Sequence, residues 1–143
     1  MSERLESANF GVIDFEDHDV IEIPEGMLGF NHLHRFLLIE GEELEPFKFL
    51  QSIEEPLICF PIIEPRLVNS DFRFELNSED RNRLGLEKPE QGLVYSVVTF
   101  SDKPEASTAN LLAPLVINTS NMRGSQIVLL ESSYSVKEPL VKI

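Results

Sequence analysis

The sequence predicts an all-β fold: a single antiparallel, barrel-like domain with one short helix. Three observations lead there. The apolar residues fall in short runs of strand length, several of them alternating with polar residues. Nine prolines and seven glycines punctuate those runs, supplying many turns. Long helical segments do not alternate with the strands, so a parallel βαβ architecture is disfavoured and closure into a barrel or strongly bent sheet removes exposed edges.

Residues 9–23 predict a hairpin, with Phe10, Val12, Ile13 and Phe15 leading into Glu16-Asp17-His18-Asp19, and Val20, Ile21 and Ile23 returning. Ile23-Pro24-Glu25-Gly26 fits a type I turn, Pro preset at the second position and Gly at the fourth. Gly29 marks a second tight position, and Phe30 after it is expected to plug into the core rather than a partner's pocket. Arg35–Glu40 reads as a strand and Glu40-Gly41-Glu42-Glu43 as a charged turn. Phe47–Ile53 alternates, with Phe47, Phe49, Gln51 and Ile53 on one face and Lys48, Leu50 and Ser52 on the other. After the turn Glu54-Glu55-Pro56, Leu57–Ile63 forms a strand whose Pro61 implies a bulge or an edge.

Asp71–Leu76 alternates cleanly, Phe72, Phe74 and Leu76 opposite Asp71, Arg73 and Glu75. The single convincing helix follows: Ser78 as cap, Glu79 and Asp80 in its first turn, Arg81 and Arg83 later, Gly85 at its end. Leu93–Phe100 is a further strand and Asp102-Lys103-Pro104 a turn. Asn110–Leu130 is the most apolar stretch and is expected to centre the core as a hairpin. Its strands would be Leu111–Ile117 and Ile127–Leu130, joined by a loop, Asn118–Gly124, that Gly124 closes at positive φ. Pro114 belongs at a strand start, bulge or edge, and the Asn110 and Asn118 amides can bond backbone groups left free by the ladder. Tyr134–Ile143 reads as an extended tail.

A chain of 143 residues suits one domain, here residues 1–143, with a sizeable core. No run of 18 apolar residues is present, and the charged N-terminus lacks an apolar secretory segment. The lone cysteine, Cys59, sits between Ile58 and Phe60 and reads as a buried, inert thiol. A reducing, cytoplasmic setting is expected. Net charge is −13 and lopsided: residues 1–65 carry fifteen acids and three bases, the remainder ten acids and nine bases. Such acidity serves solubility or attracts a basic partner. It disfavours direct nucleic-acid binding, which needs clustered Lys and Arg.

Catalytic patterns are missing. His32 and His34 could share a strand face and bind metal, but they lack a clear third ligand and read as exposed loop histidines. The pairs Glu42-Glu43 and Glu54-Glu55 are neighbours on turns, whereas carboxylate catalysis needs two acids across a cleft. No glycine loop cradles phosphate. A binding protein without cofactor is expected. The alternative is a small barrel that binds a metabolite or performs hydrolysis, which would show a pocket lined by His32, His34 and acids.

Several stretches together resemble the FliW family of bacterial flagellar assembly factors. They are Ile23-Pro24-Glu25-Gly26 with Gly29-Phe30, Pro46-Phe47 leading to Leu50-Gln51-Ser52, Glu55-Pro56, the run from Asn110 to Asn118, and Gly124 with Gln126. Leu28 departs from the family pattern where a second proline is expected, and Lys137-Glu138 stands before Pro139 where a more basic pair is usual. The resemblance implies a β-barrel-like regulator without catalytic activity. It would bind and antagonise the RNA-binding translational repressor CsrA and, in competition, flagellin, so that flagellin level feeds back on flagellin translation. Pro24, Gly26, Gly29, Phe30, Asn110, Pro114, Asn118 and Gly124 are then structural. Gln51, Glu54, Glu55, Asp71 and Glu75 are the candidate partner-binding residues.

Overall fold

The computed structural model describes residues 2–88 and 91–140. Its strands in chain order are β1 (Ser2–Ser7), β2 (Gly11–Glu16), β3 (Ile21–Glu22), β4 (Arg35–Ile39), β5 (Lys48–Ser52), β6 (Cys59–Ile63), β7 (Gly92–Thr99), β8 (Thr108–Ala109), β9 (Leu115–Asn118), β10 (Arg123–Gln126) and β11 (Glu138–Pro139). Two helical segments, α1 (Pro65–Val68) and α2 (Ser78–Leu84), lie between β6 and β7. Seven strands close a barrel in the order β7-β6-β5-β4-β3-β10-β9, with β9 returning to β7. Every neighbouring pair in the ring is antiparallel except β3 and β10, which meet in parallel through Arg123 and Glu22. Beyond the ring, β8 adds to the end of β7, and β11 adds to β8.

The barrel interior is filled by one face of each strand. Ile21, Phe36, Leu50, Ile62, Tyr95, Leu115 and Ile117 meet there, with Ile23, Met27 and Leu33 closing the space from the loop after β3. Each aliphatic or aromatic side chain buried this way contributes roughly 1.5–3 kcal/mol. Three smaller apolar layers coat the outside. The β1–β2 hairpin lays Leu5 and Phe15 over Leu37. The segment around Val68 and Phe72 packs on Val98, Ala109 and Leu111. Leu84 of α2 covers Val116 and Ile127.

The central hairpin exists, but its second arm is shifted. β9 pairs with β10 through Leu115 and Gln126, Val116 and Ser125, Ile117 and Gly124, and Asn118 and Arg123. The second arm therefore begins at Arg123, four residues before the expected Ile127, and the residue at positive φ in the connection is Met122 (φ 56°), not Gly124. Gly124 lies within a strand for a packing reason: a Cβ there would stand 3.3 Å from the Val116 carbonyl oxygen and 3.4 Å from an Ile23 side-chain carbon. The apolar run after Gln126 continues irregularly beside the first arm, Ile127 N–H bonding the Pro114 carbonyl and Leu129 N–H the Leu112 carbonyl. Pro114 directly precedes β9. The Asn110 side chain accepts from the N–H groups of Leu112 and Ala113, folding Leu111-Leu112 into a turn rather than a strand.

Residues 9–23 are not one hairpin. β2 pairs instead with β1, while β3 joins the barrel between β4 and β10. The N-terminal strand carries no apolar pattern, because Leu5 is its lone apolar residue. The turn after β3 is as expected, Gly26 N–H bonding the Ile23 carbonyl at 2.8 Å. A second tight turn follows, with Phe30 N–H bonding the Met27 carbonyl at 2.7 Å and Gly29 at φ +83°, the pattern of a type II turn with Leu28 second. Phe30 is half-buried against the barrel core and meets Phe60 edge-on at 5.2 Å.

Residues 71–76 keep their alternation, Phe72 inward and Asp71, Arg73 and Glu75 outward, yet form no ladder; the segment is held by side chains and not by strand pairing. The cap of α2 is Asn77, one residue earlier than expected: its side chain accepts from Asp80 N–H at 2.8 Å. The C-terminal tail is docked. Tyr134 packs on Phe72 at 4.7 Å, and β11 pairs with β8. The remainder of the expected tail, residues 141–143, lies outside the described residues.

Candidate partner-binding surface

The charge asymmetry along the chain becomes an asymmetry in space. β3, β4, β5 and β6 are consecutive in the ring and all belong to the acidic first 65 residues, whereas β7, β9 and β10 belong to the nearly neutral remainder. The β1–β2 hairpin, also from the acidic part, packs over β4 and β5 through Leu37, Ile39 and Ile53. One side of the barrel is therefore acidic and the opposite side close to neutral.

The five residues expected to contact partners do not form one patch. Gln51 has no exposed area at all and takes its place as a buried polar tie. The outward face of β5 is covered by the N-terminal hairpin, so strand alternation placed Gln51 correctly but hid the layer above it. Its amide donates to the carbonyls of Ser52, Pro56 and Ile58, and its oxygen accepts from the Ser7 hydroxyl. Glu54 sits at the end of β5, where its carboxylate accepts from the N–H groups of His34 and Arg35 at 2.9 and 3.0 Å. Glu55 beside it is exposed, with His32 at 3.9 Å. Asp71 and Glu75 are exposed too, but they follow α1, which begins where β6 ends. The two carboxylate pairs thus lie toward opposite ends of the barrel, separated by about the length of β6 at roughly 3.3 Å per residue.

The end that carries α1 also carries the densest acids. Glu40, Glu42, Glu43 and Glu45 occupy the connection from β4 to β5. Lys48, at the start of β5, reaches Glu40 at 3.4 Å and Glu45 at 3.5 Å. Burial alone would lower the Lys48 pKa; the Glu40 hydrogen bond and the negative charge of Glu45 outweigh it, and the ammonium is held above its ordinary range. Tyr95 faces the same group, and burial pushes its hydroxyl upward against the pull of Lys48.

Beside this acidic connection runs an apolar groove of about 770 Å³, lined by Phe47, Ile63, Leu67, Val68, Phe100 and Leu140 among others. Phe47 and Phe100 meet edge-on at 5.0 Å. Leu67 and Phe100 are 61% and 50% exposed, a large apolar area left in water. Composition gave no hint of this groove, because its walls come from five separate stretches of chain. Neither His32 nor His34 lines this groove, the cleft beside Arg66 and Phe72, or the cleft between His18 and Arg123. The His32 and His34 side chains are 60% and 46% exposed, and the described residues hold no group of three or more His, Cys, Asp or Glu placed for a metal. Cys59 is half-buried, and burial pushes its thiol up to about 11 despite a hydrogen bond with Asn9, which lowers it. Among the described residues no helix is long and apolar enough to cross a membrane.

The sequence model of the FliW protein family matches residues 4–140. The chain belongs to the FliW family. Among curated relatives, the flagellar assembly factor FliW of Caldanaerobacter subterraneus subsp. tengcongensis is 43% identical over 140 residues, covering 97% of this chain and 93% of that protein. That of Pseudothermotoga lettingae is 41% identical over 133 residues, 92% and 84% of the two chains. A crystal structure of the flagellar assembly factor FliW superposes with a TM-score of 0.92 at 28% identity, covering 99% of both chains. The closed barrel, the docked tail and the cover of helix and hairpin are therefore the FliW fold, and the chain is a flagellar assembly factor by family.

Proposed function

We propose that this FliW-family protein acts in the cytoplasm by binding, without catalysis, two protein partners: a CsrA-type RNA-binding repressor, which it antagonises, and flagellin, which competes for it. Flagellin accumulation would then release the repressor onto flagellin mRNA. The observation that supports the reading is the acidic side built by β1–β6. A repressor that binds RNA carries clustered basic residues. A contiguous negative surface attracts such a partner over distance and orients it. Glu54 and Glu55 at one end, and Asp71 and Glu75 at the other, are the proposed contacts; Gln51 holds the turn that carries Glu54 and Glu55 from beneath.

The test uses the purified chain with the CsrA-type protein and the flagellin of the same bacterium in isothermal titration calorimetry. The reading expects saturable binding to each, and displacement of the repressor by flagellin. Absence of a complex with the repressor would overturn antagonism by direct binding, and simultaneous binding of both would overturn competition.

A further inference from the structure

On the far side of α1 from the apolar groove lies a second, smaller cleft of about 380 Å³. Its apolar surface comes from Phe72, Phe74, Leu93 and Val94, and two arginines, Arg66 and Arg73, also line it. Among the described residues, neither of these two cations is neutralised by a neighbouring acid. Arg4, Arg35, Lys48 and Arg83 each have a carboxylate within 4.0 Å. Arg66 and Arg73 have none among the described residues.

The Arg66 side chain and the Arg73 backbone are held in place. Arg66 Nε donates to the Phe72 carbonyl at 3.1 Å, which leaves its two terminal nitrogens free. The Tyr134 hydroxyl grips the Arg73 backbone twice, accepting from its N–H at 3.0 Å and donating to its carbonyl at 3.2 Å. The Tyr134 ring in turn packs on Phe72 at 4.7 Å, and Phe72 on Phe74 at 5.7 Å. One guanidinium anchored through its Nε, and a second arginine fixed at its backbone, both without a carboxylate partner and beside an apolar floor, suit an anion with an apolar body, because the planar fork matches a carboxylate and the desolvated stems need apolar contact.

The charge of the ligand follows from the surroundings. Glu64 lines the same cleft, and the chain carries −13 overall. Repulsion grows in proportion to ligand charge, so a singly charged carboxylate suffers less than a phosphate. We propose that this cleft binds a monocarboxylate bearing a compact apolar or aromatic body, with Arg66 and Arg73 on the carboxylate and Phe72, Phe74, Leu93 and Val94 on the body. A free organic acid and the terminal residue of a peptide present this same chemistry. The site shares no lining residue with the proposed repressor contacts, although Asp71 and Glu75 flank Arg73 in the chain.

The test is an NMR titration of the isotope-labelled full chain with four probes: phenylpropionate, its neutral amide, acetyl-phenylalanine and inorganic phosphate. Saturable shifts at the amides of Arg73, Leu93 and Val94 are expected with one or both carboxylates. The neutral amide should bind at least about tenfold more weakly, the scale of one charge-assisted hydrogen bond. Arg66→Gln and Arg73→Gln should weaken the carboxylate to a similar degree, and Tyr134→Phe should weaken it by releasing Arg73. Preference for phenylpropionate assigns a free acid, and preference for acetyl-phenylalanine a peptide terminus. No saturable shift with either carboxylate, equal binding of the amide, tighter binding of phosphate, or unchanged affinity in both arginine variants would overturn the proposal. The comparison of acid with amide on the unsubstituted chain stands whether or not a variant folds.

Discussion

The Ser7 hydroxyl donates to the Gln51 side-chain oxygen at 2.7 Å across 44 residues of sequence, and this bond ties the β1–β2 hairpin to the barrel. Ser7 Oγ also accepts from the N–H groups of Asn9 and Phe10, so one hydroxyl orders the hairpin turn as well. Gln51 has no exposed area, and all of its polar atoms are used. Gln51→Ala would leave several buried carbonyls and the Ser7 hydroxyl without this partner. A buried polar group stranded in that way costs roughly 1–3 kcal/mol, and the cavity adds to it. The midpoint of urea unfolding should fall accordingly; an unchanged midpoint would mean water replaces the amide without penalty.

Ile117, 1% exposed, lies where β9 faces the barrel interior, opposite Gly124 and alongside Leu93. Ile117→Ala removes packing that its rigid neighbours cannot refill, at a cost of about 2–5 kcal/mol. Thermal unfolding should show a clear drop in Tm. A Tm within error of the parent chain would contradict the placement of Ile117 in the core.

The two glycines of the turn after β3 should respond differently. Both have positive φ, +72° at Gly26 and +83° at Gly29, so alanine is strained at either, by about 1–2 kcal/mol. At Gly26 a Cβ would also stand 2.6 Å from the Asn31 Cα, whereas at Gly29 it meets nothing within 4 Å. Gly26→Ala is therefore expected to destabilise clearly more than Gly29→Ala in parallel denaturation curves. Equal losses would show that the loop relaxes around the clash.

Leu28 illustrates how far the sequence was legible and where it stopped. The second position of a type II turn welcomes proline. Here Leu28 N–H bonds the Gln126 side chain at 2.9 Å, a donor that proline lacks, and nothing within the turn itself announces a partner 98 residues away. The same boundary runs through the rest of the molecule. Local chemistry was readable: the Ile23–Gly26 turn, the β4 to β6 strands, the Gly85 end of α2, and the inward phenylalanines at 72 and 74. Tertiary pairing was not. β3, β8 and β11 span two residues each and exist only because a neighbour is present, so no propensity marks them. The register of the central hairpin turned on Gly124, whose lack of a side chain signals a turn by composition but serves close packing against Val116 and Ile23 in the fold. Among the candidate surface residues, the alternation that put Gln51 opposite Leu50 was right, and the covering hairpin was invisible because its strand β1 is mostly polar.

Cys59 supplies a pH-dependent test. Burial pushes its thiol from an ordinary 9.0 up to about 11, favouring the protonated form in the folded chain. Because the folded pKa is raised for a group that is neutral when protonated, the folded state binds the extra proton between about pH 9 and about pH 11. Stability should be unaffected by this group below that window and fall within it. Iodoacetamide labelling of the native chain should stay slow at pH 9, while the urea-unfolded chain is already reactive. Matching pH profiles for the two states would show that the thiol is not protected by the fold.

On the proposed function, the acidic side built by β1–β6 draws in a basic repressor. Charge reversal at Glu42, Glu43 and Glu45, all on the connection from β4 to β5, should slow that encounter without unfolding the barrel. The most direct measurement is the association rate constant for the CsrA-type protein across a salt series, by stopped flow. The screening length falls from about 10 Å at 0.1 M to about 3 Å at 1 M, so a long-range field should fade across that range while packed contacts persist. Association should slow steeply with salt while dissociation changes little. An association rate that stays flat across the series would contradict the proposed attraction, leaving the acidity as a feature of solubility alone.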